Sequence, residues 1–532
     1  MISSLRKFRM RVAASRSVQA LLMNSWRQFL RSVLLVALAF GWAPPRLAAA
    51  VIHVGPTDSY TKIESANPGD EVVIAPGTYA FRVYLTKQAT PANPIIIRAQ
   101  DPAHPPVWDF GTTNVENAPG SYSAGDRGRG GWQFSGARNY RLSGIVFRNC
   151  RTAAFNSAGI RYYNGTTNLA LTDCRFTLND NGLTGGTQDS EATVEFCEFN
   201  ANGNTNASLS APTHNIYVYG GSLTMRYCYV HDPVQGQNFH LRCRNATLEY
   251  NWFARANSYE GDLMTDDDFN GVGPFRQSLT LRGNVIVQKA SPLNNSQVIA
   301  LYNDGGLGNL TLNVRALYNT FVGNGGAAAF VHVSNADGTA MSAEIADNII
   351  SGTSRPFLVE DAMHGAVTGA NNWLKTNAVV GSLAGSVQSP APGFRNPGAN
   401  DYTLAPNSVC IGAANASVFG LPGKEYYLNE ATNRFWRLRS GARDLGAFES
   451  NSTNLPVGAY DSVPRPRLDI APSGANAVAS WPLFAADFQL DQSDSLNLIA
   501  WSPSPYGTIT NATNIAANLP PDGATRFFRL RK

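Results

Sequence analysis

Between Gly144 and Ile350 one short pattern recurs, a small or amide residue followed two places later by an apolar one. It appears at Gly144 (GIVF), Cys174 (CRF), Cys197 (CEF), Cys228 (CYV), Asn251 (NWF), Asn284 (NVI), Asn319 (NTF) and Asn348 (NII), at intervals of 23 to 35 residues. No extended helical periodicity follows residue 50, where a globular α/β chain of this length would show several amphipathic helices. Short strands returning every coil, with inserted loops where the interval lengthens, predict a parallel β-helix. Strands of successive coils then lie about 4.8 Å apart. Inward Asn side chains would bond amide to amide, while Cys would fill the same place as a small apolar group.

Ahead of the repeat, Ser59–Ala66 predicts a short helix or turn, and Glu71–Ile74 and Pro94–Ala99 (PIIIRA) predict strands. The β-helix is expected over residues 51–450. Residues 451–475 form a polar, Pro-containing linker, and the alternating runs VASWPLF, DFQLDQS and IAWSPS within 476–532 predict a small β-sandwich-like module.

A chain of 532 residues with 48 Gly and only 15% charged side chains suits many short strands joined by tight turns. Residues 1–50 read as a secretory signal, with a basic start, the apolar run Ser32–Trp42 and the small-residue end Ala48-Ala49-Ala50. Met23 is a possible true start and cleavage is expected after Ala50. The apolar run is too short to span a membrane, so the mature chain is expected to be secreted, periplasmic or held at the cell surface. The leader holds eight Lys/Arg and no Asp/Glu, leaving 34 basic against 38 acidic residues and a formal charge near −4. That removes the case for a nucleic-acid partner. Six cysteines in an exported chain would ordinarily read as disulfides. Three of them occupy equivalent repeat positions, so free buried thiols are expected.

With its NPGDEVVIAPGTY opening, PIIIRA strand, xCxF/xNxF ladder and closing RDLGAFE at Arg443–Glu449, the chain resembles the right-handed parallel β-helix superfamily typified by pectate lyases. It is nearest in appearance to the branch holding alginate lyases and chondroitinase B. The resemblance implies an all-β, right-handed solenoid over roughly Val51–Ser450. The superfamily covers lyases, hydrolases, epimerases and binding proteins, so fold does not give function. That branch places a Lys on a strand like LRCRN and an Arg about one coil later. Here His240 or Arg242 stands near the first position, and carboxylates stand around Glu260–Met264 in place of the second.

Strand alternation sorts the remaining side chains. Ile216, Val218, Phe239, Leu241 and Leu263 should face in. Asn215, Tyr217, His240, Arg242, Arg244, Glu260 and Asp262 should then face out, with His214 sharing the inward parity or sitting at the strand mouth. Neighbouring coils add Arg161, Tyr163, Tyr302 and His332 to the same face. Tyr217, His240 and Asp262 are 23 and 22 residues apart, one coil each. Polar residues on an outer face are ordinary for any single position, but two bases, several Tyr and Arg and two carboxylates on one sheet point to a site.

Three readings follow. In a lyase acting on a uronate-containing polysaccharide, His240 would be the base, Arg242 and Arg244 would neutralise the carboxylate, and Tyr217 or His214 would donate to the leaving oxygen. Asn215, Arg161, Tyr163, Tyr302 and His332 would bind substrate. In a glycoside hydrolase, Glu260 and Asp262 would be the paired carboxylates. In a non-catalytic carbohydrate-binding protein, the Tyr rings would stack on sugars. The run Asp266, Asp267 and Asp268 could hold Ca²⁺ or be a solvated loop, and no other cofactor is expected. A monomer acting on polysaccharide is the expected state.

Overall fold

The computed structural model describes residues 49–113, 115, 130–153, 155–187, 189–206, 213–265, 275–292, 297–303, 310–325, 329–334, 339–415, 420–427, 434–461, 468–482, 488–494, 501–510, 514–521 and 525–531. The basic leader and Met23 lie outside the described residues. Each coil crosses three sheets in turn. Among the described residues the first sheet has 13 strands, the second 12 and the third 10. Leu169–Thr172, Arg175–Thr177 and Asn181–Gly185 make one coil. Every neighbouring pair in these sheets is parallel, with Leu171, Val194, Met225 and Leu248 in successive register. The fold is a right-handed parallel β-helix, the hand that parallel crossovers adopt almost without exception.

Period-two alternation sends one set of side chains into the bore. Phe147, Phe176 and Phe199 stack there at 5.3 and 4.5 Å between ring centroids. Ile216, Val218, Phe239, Leu241 and Leu263 are fully buried, as alternation requires.

The corner between the first and second sheets carries the ladder. Cys174 N–H donates to Cys197 Sγ and Cys197 N–H to Cys228 Sγ, each at 3.3 Å, and Cys228 N–H donates to Asn251 Oδ1 at 2.9 Å. From there Asn251, Asn284, Asn319 and Asn348 each donate Nδ2 to the Oδ1 of the next, ending on Asn372, at 3.0 Å. The ladder thus runs one coil beyond the motif, to Asn372. Its start is corrected too: Val146 pairs with Arg175, so Ile145 stands opposite Cys174 and Gly144 is the residue before it. That preceding position is left-handed in coil after coil, with φ of 50° at Asp173, 57° at Tyr227, 55° at Tyr250 and 72° at Gly144. One residue turned this way bends the strand sharply enough to enter the second sheet. All six cysteines are free and buried.

Beyond the last coil, two hairpins, Phe394–Asn396 with Asp401–Leu404 and Lys424–Tyr426 with Trp436–Leu438, precede the C-terminal module. That module is two antiparallel sheets around Ala479, Trp481, Leu490, Ile515 and Ala517. Its first strand, Asp469–Ser473, lies inside the stretch expected as linker. No helix among the described residues is long and apolar enough to cross a membrane.

Candidate functional site

The outer face of the third sheet presents two columns of side chains. Parallel register sets Gln133, Arg161, Thr184, Tyr217, His240, Asp262, Ala300 and His332 on consecutive rungs. Two residues further along the strands, a second column holds Tyr163, Tyr219, Arg242, Met264, Tyr302 and Ser334.

At the centre His240 and Asp262 meet. The His240 Nδ1 to Asp262 Oδ1 distance is 2.7 Å, and the two side chains are 9% and 0% exposed. A carboxylate at Nδ1 holds the proton on that nitrogen, which leaves the Nε2 lone pair outward. Arg242 Nε lies 3.5 Å from that Nε2, and Arg242 Nη1 donates to the Thr265 carbonyl at 3.2 Å. Asp262 Oδ2 accepts from Gln237 Nε2 at 2.8 Å and from the Tyr302 hydroxyl at 3.3 Å. Burial, then the Asp262 charge, raises the Tyr302 phenol, so it stays a donor.

His214 stacks on the His240 ring at 4.7 Å and 12°, and Tyr217 meets the same ring edge-on at 4.8 Å. His214 Nδ1 accepts from the Gln237 backbone N–H at 3.2 Å. Its burial, with the neighbouring His240 next in weight, holds its pKa well below the ordinary imidazole value. His214 is therefore a neutral wall that fixes one ring face of His240, with Asp262 fixing its edge.

Six of the sequence-predicted residues, His214, Tyr217, His240, Arg242, Asp262 and Tyr302, form this cluster. The others stand apart. Arg161 is two rungs before Tyr217 and donates to the Asn156 carbonyl at 2.8 Å, and the Tyr163 hydroxyl bonds Gln133 Oε1 at 3.0 Å. His332 is two rungs past Asp262, beyond Ala300, where its Nε2 lies 2.9 Å from Glu360 Oε1. Arg244 lies in the turn leaving the strand Phe239–Arg242.

Two face assignments are overturned. Asn215 and Glu260 point inward and are fully buried. They sit where the chain turns from the second sheet into the third, and at that corner alternation no longer applies. Asn202 donates to Asn215, Asn215 to Asn238 and Asn238 to Glu260 Oε2, at 2.9, 2.9 and 2.7 Å. Glu260 Oε1 accepts the Ala256 N–H at 3.0 Å. Burial pushes the Glu260 carboxyl up to about 8. Glu260 thus ends an internal amide chain and does not share the outer face with Asp262.

Sequence reasoning missed Gln237, which orients Asp262, and Glu360, which holds His332. Gln237 precedes its strand, so parity cannot place it; its separation of 23 residues from His214 is the one available signal. Asp266, Asp267 and Asp268 lie outside the described residues. Among the described residues no group of three or more His, Cys, Asp or Glu is arranged to hold a metal ion.

No family model matches the chain, and no curated protein matches it. Solved structures do. Pectate lyase Pel9A is 15% identical with a TM-score of 0.45, over 76% of this chain and 97% of that one. The alginate lyase from Paenibacillus sp. str. FPU-7 is 14% identical with a TM-score of 0.37, over 59% and 99%. The tailspike gp49 of Acinetobacter baumannii bacteriophage Fri1, a capsular polysaccharide depolymerase, is 10% identical with a TM-score of 0.33, over 91% and 86%. At these identities the likeness is one of coil architecture and does not reach individual site residues.

Proposed function

We propose that this chain is an exported, polysaccharide-active β-helix protein whose third-sheet face cleaves a uronate-containing polymer by β-elimination. The observation that carries the reading is the buried Asp262–His240 pair with Arg242 Nε donating, at 3.5 Å, to the imidazole nitrogen on the far side from Asp262. Elimination needs a base at the carbon next to the uronate carboxylate, and His240 offers Nε2 for that proton. It needs a cation to stabilise the charge that builds on the carboxylate, and Arg242 supplies one from a side chain anchored to a backbone carbonyl. The Tyr217 hydroxyl, one rung away, is the candidate donor to the leaving oxygen. Paired-carboxylate hydrolysis loses support because Glu260 faces the bore.

The test is a panel of polyuronates and mixed uronate glycans followed by the ultraviolet absorbance of the unsaturated product, with His240→Ala alongside. Rising absorbance on at least one polymer, lost in the variant, is expected. Release of reducing sugar from a neutral glycan without that absorbance would overturn the elimination chemistry. Binding of a uronate polymer with no cleavage would overturn the enzymatic reading.

A further inference from the structure

A cavity lies on a different side of the coil from the third-sheet face, where the ends of the first-sheet strands meet the segment that follows the last coil. Its volume is about 710 Å³, within the range of small-ligand pockets. The floor is a charge ladder from three successive first-sheet strands. Arg226 stands between two carboxylates, with Nε 3.0 Å from Glu249 Oε2 and Nη1 3.6 Å from Glu195 Oε1. These side chains keep part of their surface open, 36% for Arg226, 32% for Glu195 and 17% for Glu249. One wall is the aromatic corner column Tyr227 and Tyr250, whose left-handed backbone turns the rings outward. Trp436 belongs to the same wall, stacked on Tyr227 at 5.6 Å, with Lys424 Nζ 4.2 Å from the indole centroid and donating to the Tyr227 hydroxyl at 2.9 Å.

We propose that this cavity is a second carbohydrate-binding site, selective for a neutral oligosaccharide. The floor offers a guanidinium and two carboxylates side by side, a set that bonds vicinal hydroxyls as both donor and acceptor. The half-buried Leu438 and Ala459, packed against the buried cluster of Tyr227, Tyr250 and Trp436, supply the apolar surface that a sugar ring needs on its other side. Arg226 is paired with both carboxylates of the floor, and with Lys424 and Asp461 the lining holds two cations against three carboxylates, so a neutral ligand adds hydrogen bonds without stranding a charge. A polyanion would face Glu195, Glu249 and the rim residue Asp461, and repulsion from those carboxylates disfavours it. The site is therefore complementary in charge preference to the Arg242 face and does not depend on that face being catalytic.

Calorimetry on the full chain carrying His240→Ala, with hexasaccharides of β-1,4-glucan, β-1,4-xylan and β-1,4-mannan, tests this. At least one should bind at a one-to-one ratio. Leu438→Trp, which fills the cavity, and Glu195→Gln, a conservative change on a partly open side chain, should each weaken it roughly tenfold or more, with melting temperatures close to that of the parent. Failure of all three probes to bind would overturn the proposal, as would binding unchanged in both cavity variants. Because every arm is run without His240, the outcome is independent of whether the third-sheet face cleaves uronates.

Discussion

Inside the first corner, Asn251, Asn284, Asn319 and Asn348 stack like on like, and each amide finds its partner on the next coil. On the outer face of the third sheet the same one-coil spacing stacks Tyr217, His240 and Asp262, unlike on unlike. Repetition closes the hydrogen-bond accounts within the ladder, which suits a stack whose only task is to hold coils together. Broken repetition leaves groups aimed outward. Among the described residues on this face and at its edge, Thr184 Oγ1, Gln237 Oε1 and His332 Nδ1 are buried with no protein partner. Buried atoms of this kind also occur away from this face, at Trp252 Nε1 and Trp481 Nε1, so the outward aim of the unlike stack is what distinguishes it. The contrast separates a structural stack from a candidate site at equal spacing and in the same coils.

Four substitutions probe it, beginning with the largest effect. Asp262→Asn should lower turnover on a cleaved uronate polymer by about two to four orders of magnitude, because an amide no longer enforces the Nδ1–H tautomer of His240. Initial rates at constant folded fraction check this. Asn319→Ala should leave the chemistry of folded molecules unchanged but cost about 3 kcal/mol or more of stability. It orphans the Asn284 N–H and one of the two Nδ2 hydrogens, the other still bonding the Leu248 carbonyl; denaturant melts measure the loss. Glu260→Gln should change the pH dependence of stability. The folded-state value of about 8 lies above the ordinary 4.5, so the stabilisation is fully present below pH 4.5 and is lost as pH rises through 8. The slope is about 1.4 kcal/mol per pH unit. The amide variant should flatten that decline and be the more stable protein in mild alkali. Tyr302→Phe removes one hydroxyl bond to Asp262 and should cost less than about tenfold in rate, read from the same absorbance assay.

The fold was readable because the ladder motif, the strand alternation and the coil length all repeat. Ile216, Leu241 and Leu263 took their expected places for that reason. Tyr217, His240, Arg242 and Asp262 were also found by parity, since they lie within strands where alternation holds. Asn215 and Glu260 were misplaced because they precede the strand, at a corner where the chain turns and side chains swing into the bore. Gln237 was missed on the same ground. The left-handed Tyr227 and Tyr250 were invisible as well, since aromatic residues seldom adopt that conformation and no turn residue marks the bend. What sequence conveys here is the regular part of each coil; the corners, which complete both the amide chain and the candidate site, follow from three-dimensional register.

The central claim is most directly tested by placing His240→Ala and Asn319→Ala side by side on one polyuronate, recording melting temperature and unsaturated-product absorbance for each. His240→Ala should melt within a few degrees of wild type and release no product, while Asn319→Ala should melt far lower and retain cleavage at temperatures where it is folded. Cleavage that survives His240→Ala would contradict the assignment of the outer stack as the site.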